Sequence, residues 1–278
     1  MKISIITVAY NSALTIDATI RSVLSQTYND IEYILIDGNS SDGTQDIIAS
    51  YGHPSIRWIS EPDKGIYDAM NKGIAMATGD VIGILNSDDF YRDSQVLSHV
   101  AKAFLKTNAD SVYGDLAYVE ARDTSKILRY WKSGQYKEGS FLHGWMPPHP
   151  TFFVRREVYN KYNGFDTRLK SAADYELMLR LIHKHKISVA YLPEVLVFMR
   201  AGGKSNQSLS NRLKANREDH LAWQLNNINP NLLTLILKPL RKVEQFLFNS
   251  YKTELTKQLN TYSTPIKVDY KAVSTSVN

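Results

Sequence analysis

The chain has 278 residues, 43% of them hydrophobic, a formal net charge of +5 and no cysteine. That length gives one large domain with an appended tail and argues against a second independent domain, while the lack of cysteine excludes disulfides and thiolate metal sites and fits a reducing compartment. Residues 200–278 hold twelve Lys and Arg against five Asp and Glu, so the basic excess belongs to the tail, and composition does not choose among nucleic acid, anionic lipid and solubility as its purpose.

The apolar run from Met1 to Tyr10 is too short for a signal peptide, and no stretch approaches the ~20 apolar residues of a membrane-spanning helix. The cytoplasm is the expected compartment. Runs rich in Ile and Val at residues 3–8, 31–36, 56–59 and 81–85 read as buried strands. Helix patterns fall between them at 13–25, 44–49 and 66–77, the last with Ile66, Met70 and Ile74 on one face. A helix near 95–106 and a strand near 111–119 come next. Through 121–150 Gly, Pro, Trp and Tyr mix without period. A helix resumes at 173–183, where Tyr175, Met178, Leu179 and Ile182 keep i, i+3, i+4, i+7 spacing and Asp174 lies in the first turn. Beyond Gly202 the pattern is helical to about residue 259, interrupted at Pro230 and Pro239, with a frayed end. Alternating strands and helices predict an α/β domain with a mostly parallel, Rossmann-like sheet over 1–205, followed by a helical extension over 206–278.

Open parallel sheets bind ligands outside the carboxyl ends of their strands. Polar residues stand there in three places: Thr7 to Asn11, Asp37 to Gly43, and Asn86-Ser87-Asp88-Asp89. The G-x-G-x-x-G and G-x-x-x-x-G-K-[S/T] phosphate loops do not occur, which weakens hydride transfer and P-loop hydrolysis as functions. Two adjacent carboxylates at a strand end need a compensating cation or proton. A divalent Mg or Mn ion is the simplest, since it takes a few carboxylate oxygens and fills the rest of its shell with water and phosphate.

The segments I-S-I-I-T-V-A-Y-N, D-G-N-S-S-D-G-T, E-P-D-K-G-I-Y-D-A-M-N-K-G, G-D-V-I-G-I-L-N-S-D-D, H-P-T-F-F-V-R-R and A-D-Y-E-L-M-L-R-L follow one another over about residues 1–205. In that order they resemble the family-two glycosyltransferases of GT-A fold, usually inverting enzymes. The resemblance implies that Thr7, Ala9 and Tyr10 flank the nucleotide and that Asp37 bonds its base or ribose. Asp68 and Lys72 would lie near the diphosphate sugar. Asp88 and Asp89 fall on the family's metal-binding motif, with Asp88 also against the nucleotide sugar, and Asp174 falls on the catalytic base. Asn86 stands where the motif often has Asp, and Ala173 where the base is often preceded by Glu. The Q-x-x-R-W segment of related processive synthases does not occur, so transfer of a single sugar is expected. The resemblance thus implies a divalent-cation-dependent transferase taking a nucleotide-diphosphate sugar, with a UDP-sugar preferred, to a glycan or lipid-linked hydroxyl in bacterial surface-polysaccharide assembly.

Blander readings stand beside these. Asp88, Asp89 and Asp174 are each at positions where Asp caps a helix. Asp42 reads as a turn former, and Lys72 with Asp68 as a solvated i, i+4 pair. His149 is either an acceptor or metal contact or a structural hydrogen-bonder; Trp131, Trp145 and Tyr136 are either a sugar-stacking wall or core. In the tail, Leu232, Ile236, Leu240, Val243 and Leu247 share one helical face with Lys238, Arg241 and Lys242 away from it. A basic amphipathic helix over 231–248 has three possible seats: an anionic membrane on the inner face of the cell, the catalytic domain, or a second subunit. Nucleic acid ranks last because the segment is mainly aliphatic. Rival functions are a sugar-phosphate nucleotidylyltransferase, which would want a Gly-rich basic loop after the first strand, and an inactive sugar-nucleotide-binding subunit.

Overall fold

The computed structural model describes residues 1–202, 209–229 and 234. The α/β expectation holds, and a nine-stranded sheet forms the centre. Its first half is parallel: β1 (Ile3–Ala9) lies between β2 (Ile31–Asp37) and β4 (Val81–Ile84), with β3 (Ile56–Ser60) outside β2. Strands covered on both faces read as unbroken apolar runs, and β1 is buried at all seven positions. Alternation divides it between two cores. Ile3 and Ile5 face α1 (Ile16–Leu24) and α4 (Val96–Thr107), while Ile6 and Val8 face α3 (Ile66–Met76). Helix α2 (Thr44–Ser50) joins β2 to β3.

Beyond α4 the sheet changes character. Strand β8 (Phe153–Arg155) runs antiparallel between β4 and β6 (Ser111–Val119). Strand β9 (Val189–Arg200) runs parallel to β6 and antiparallel to β5 (Phe90–Tyr91), and β7 (Ile127–Trp131) forms a hairpin with β6. Sequence patterning did not find β5, β7, β8 or β9. The first and third are two and three residues long, and β9 carries Pro193 where its register on β6 shifts between Tyr113 and Asp115. A proline tolerated only at an irregularity, followed by the charged Glu194, hides a strand that is apolar elsewhere up to Arg200.

Helix α5 (Arg156–Tyr162) follows β8 directly. Helix α6 (Ala173–Met178) continues as a π-helical turn, Leu179–Lys184, so the expected helix at 173–183 is present in two geometries. Helix α7 (Leu209–Leu225) packs on α6: Trp223 is wholly buried and its Nε1 donates to the Tyr175 hydroxyl at 2.9 Å. The expected amphipathic helix over 231–248 lies outside the described residues apart from Thr234. Among the described residues no helix is long and apolar enough to cross a membrane.

Register sets where the crevice opens. Ala9 pairs with Asp37 and Asp37 with Ser60, which places three strand ends in one row. The Leu85 amide still bonds the Ile6 carbonyl at 2.9 Å, so residues 86–89 leave the sheet beside that row.

Candidate active site

Asp37 is fully buried at the end of β2. It accepts the Ser40 amide at 2.9 Å, the Ser40 hydroxyl at 2.5 Å and the Ser60 hydroxyl at 2.6 Å. Thr7 is also fully buried, receiving the Tyr33 hydroxyl at 3.1 Å on the α1 side of the sheet, where Ala9 also points. Tyr10, by contrast, is 56% exposed. Its ring edges Gly38: a β-carbon there would stand 3.3 Å from Tyr10 Cδ2 and 2.5 Å from Asp63 Oδ2. Glycine at 38 therefore lets a tyrosine and a carboxylate converge on bare backbone. Asp42 accepts the Ala13 and Thr44 amides and the Thr44 hydroxyl. Burial alone would raise its pKa, but these donors hold it below the usual value. The turn reading of Asp42 fits these contacts.

Lys72 is tied to Glu61 at 2.8 Å and to the Pro62 carbonyl at 2.9 Å, while its i, i+4 partner Asp68 is 4.0 Å away. Asp68 instead accepts the Lys64 amide at 3.0 Å across the start of α3. These two sites brace the loop between β3 and α3.

The acidic pair divides by depth. Asp89 is fully buried; its Oδ2 accepts the Asn86 amide group at 3.0 Å, and its Oδ1 has no hydrogen-bond partner among the described residues. Asp88 is partly buried. Burial pushes both carboxyls up, Asp89 well up because it is fully buried and the Asp88 charge adds to that, while the Arg200 guanidinium pulls both down. Arg200, at the end of β9, donates to the Asp88 carbonyl at 2.5 Å and lies 5.0 Å over the Phe90 ring. From the other side, Thr19 on α1 donates its hydroxyl to the Ser87 and Asp89 carbonyls at 2.9 and 2.7 Å. Two raised carboxyls, one with an orphaned oxygen, fit a hard divalent ion that completes its shell with water and phosphate. Among the described residues no group of three or more His, Asp and Glu is arranged to hold an ion without such help.

Asp174 stands in the first turn of α6, and its Oδ1 accepts the buried Tyr67 hydroxyl at 3.2 Å. Tyr67 stacks on Phe165 at 5.4 Å, and His149 meets the same ring edge-on at 5.4 Å. Burial pushes the His149 imidazole down, against a pull upward from the Asp174 charge. The expected alternatives for the aromatics also separate: Trp145 is buried among Tyr113, Tyr136 and Phe141, with Nε1 donating to the Ser133 carbonyl at 2.7 Å. Trp131 instead lies on β7 beside Arg129.

Tyr118 lies on β6 beside Arg129. Burial raises its hydroxyl pKa, Arg129 lowers it from 3.9 Å over the ring, and the charges of both Asp89 and Asp174 raise it. Tyr118 is partly buried and packs against the core that Thr7's neighbours and α1 share. Sequence reasoning missed Thr19, Tyr67, Tyr118, Arg129 and Arg200. Of these, only Tyr67 lay inside a quoted motif, and only Arg200, charged at the end of an apolar run, carried a further signal.

Comparisons with known proteins agree on the kind of protein that bears this site. The sequence profile of Glycosyl transferase family 2 matches residues 4–163. A PGL/p-HBAD biosynthesis glycosyltransferase of Mycobacterium bovis is 32% identical over 210 residues, covering 73% of this chain and 78% of its own. The chondroitin synthase of Escherichia coli is 29% identical over 181 residues, 64% of this chain but 26% of that much longer protein. Among solved structures, S. aureus TarS 1–349 in complex with UDP-GlcNAc superposes with a TM-score of 0.65 at 16% identity, covering 95% of this chain and 74% of that one. The mannosyltransferase PcManGT from Pyrobaculum calidifontis, in complex with GDP-Man and Mn2+, gives 0.61 at 16% identity over 99% and 80%. The fold is thus of the GT-A type, and the chain belongs to glycosyl transferase family 2.

Proposed function

We propose that this glycosyltransferase moves one sugar from a nucleotide-diphosphate sugar, preferably a UDP-sugar, to a hydroxyl on a glycan or lipid-linked acceptor, with inversion and with a divalent cation. The observation that carries the reading is the acidic pair beside the row of strand ends, where Asp89 is fully buried and keeps one carboxylate oxygen without a hydrogen-bond partner among the described residues. The sugar-nucleotide complexes of TarS and PcManGT support the donor class, the Mn2+ of the latter supports the cation, and the biosynthetic role of the mycobacterial relative supports glycan or glycolipid assembly.

In this reading Tyr10, Gly38 and Asp63 form the nucleotide slot, and Asp37 with Thr7 anchors its floor. Asp68 and Lys72 hold the adjoining loop toward the diphosphate sugar. Asp88, the less buried of the pair, faces the diphosphate and holds the ion, and Asp89 backs it from within. When bound, the ion supplies Lewis-acid neutralisation of the charge that gathers on the diphosphate. Tyr67 occupies Asp174 Oδ1 and leaves Oδ2 to take the acceptor proton. As that proton leaves, the acceptor oxygen bonds the anomeric carbon, and the bond from that carbon to the diphosphate oxygen breaks, its electron pair departing with the nucleotide. A single displacement inverts the centre.

Hydrolysis of a panel of nucleotide sugars, with and without Mn2+, identifies the donor. Asp174→Asn is expected to keep nucleotide affinity and lose about 10²–10⁴ in turnover, and Asp88→Ala to abolish the Mn2+ dependence of nucleotide binding measured by calorimetry. Turnover at the wild-type level in the first variant would remove Asp174 as base. Unchanged metal-dependent affinity in the second would remove Asp88 as the residue that holds the ion.

A further inference from the structure

The helix that carries Asp174 starts without a cap of its own. Its N-cap position is Ala172, which has no side-chain acceptor for the amides around the first turn. The acceptor comes from α7. Glu218 Oε2 receives the amides of Lys170, Ser171 and Ala172 at 3.0, 2.6 and 3.0 Å, so one carboxylate gathers the three residues that lead the chain into α6. A negative group at a helix start is also favoured by the helix dipole. The same charge reaches the Tyr67 hydroxyl, which is the group bonded to Asp174.

Helix α7 has other anchors. Trp223 bonds the Tyr175 hydroxyl, and Asn226 donates to Glu176 Oε1 at 2.9 Å. These hold α7 on the body of α6, whereas Glu218 grips the approach to its first turn. Docking of the helix and restraint of the 170–172 backbone are therefore separable.

We infer that Glu218 is a positioning residue: through the 170–172 amides it fixes the direction from which Asp174 enters the site. The inference rests on the reading of Asp174 as the base. Leu169 and Ala172 are buried on either side, but residues 170 and 171 between them are exposed, and among the described residues the bonds of their amides toward α7 are those to Glu218.

The test compares Glu218→Ala, Glu218→Gln, Asn226→Ala and Asp174→Asn in the full chain, using the nucleotide sugar hydrolysed fastest in the donor panel. Displacing a catalytic group by about 1 Å can cost about 10²-fold, so Glu218→Ala is expected to lose roughly ten- to a hundredfold in kcat. Its donor KM, and its calorimetric affinity for UDP or GDP with Mn2+, should stay within about twofold. Glu218→Gln keeps a carbonyl oxygen for the three amides and should recover kcat to within about threefold, while Asn226→Ala should stay near wild type. Hydrogen exchange of the 170–172 amides should accelerate in Glu218→Ala and not in Glu218→Gln. Wild-type kcat in Glu218→Ala while Asp174→Asn is inactive overturns the inference and leaves the base standing. Equal losses in Glu218→Ala and Asn226→Ala also overturn it, since general undocking would then account for both. Full turnover in Asp174→Asn overturns the base reading and the inference with it.

Discussion

Thr19→Val tests whether α1 sets the acidic loop. The Thr19 hydroxyl is fully buried and lies 2.9 Å from the Ser87 carbonyl and 2.7 Å from the Asp89 carbonyl, so its one proton serves two acceptors on either side of Asp88. Valine matches the shape and removes the donor. A net intramolecular hydrogen bond is worth about 1 kcal/mol, and a buried acceptor left unpaired costs roughly 1–3 kcal/mol. With Arg200 still holding the Asp88 carbonyl, the loss expected in urea unfolding is about 1–2 kcal/mol. If that loss is local to residues 87–89, affinity for UDP with Mn2+ falls by up to about thirtyfold, at about 1.4 kcal/mol per tenfold. Denaturation and calorimetry on the same preparation give both numbers. Full destabilisation with unchanged nucleotide affinity would refute the reasoning, because the loop would then hold its place without α1; a stability change below about 0.3 kcal/mol would refute it from the other side.

Glu32, 5% exposed, accepts Ser4 at 2.7 Å, the Thr78 amide at 2.8 Å, the Thr78 hydroxyl at 3.0 Å and Arg57 at 2.9 Å. Burial opposes its charge, yet these donors bring its pKa from 4.5 to about 2, which at 1.36 kcal/mol per unit is about 3 kcal/mol of stability. Because the folded carboxyl titrates below its unfolded value, the unfolded chain binds more protons in between. The contribution is complete above about pH 4.5 and is lost as pH falls toward 2. Glu32→Gln should cost about 3 kcal/mol at pH 7 in chemical denaturation, with most of the difference gone at the acid end; a pH-independent difference would assign the effect to packing. Gly83→Ala places a β-carbon 2.4 Å from Phe153 Cε1, so it should destabilise by about 1–3 kcal/mol. Phe153→Leu in the same chain should return at least half of that, and strictly additive losses would show that the two positions do not meet.

The first half of the fold was legible because burial on both faces leaves a simple mark. Strands β1, β2 and β4 are apolar almost throughout, and the breaks after them coincide with left-handed residues such as Asn11 and Gly43. Helix α3 begins where its apolar face predicted, at Ile66, and ends one residue early. Helix α1 starts three residues later than its pattern, since Ser12 turns the chain first and its carbonyl takes the Thr15 and Ile16 amides. The second half was illegible for a different reason. Its strands borrow their edges from distant partners, so β8 needs only three residues between β4 and β6, and β5 only two against β9. No local period records such pairings.

The site divides in the same way. The acidic pair, Asp37 and Asp174 stand out in the sequence because each lies at the end or start of an element that patterning finds and on a motif of the family it resembles. What could not be named is how neighbours in the chain part company in space. Asp88 and Asp89 are adjacent, yet Asp88 is partly exposed while Asp89 turns into the protein, where Asn86 donates to it and Arg200 bears on its charge. An aspartate at 86 would set a third negative charge against a carboxyl that burial already pushes well up. The amide that stands there gives a donor instead, with Nδ2 3.0 Å from Asp89 Oδ2. The departure from the more usual acidic residue thus has a local cause: Asn86 relieves part of the burden on Asp89 from inside the fold, which leaves the less buried Asp88 as the carboxylate that the proposed reading gives to the cation.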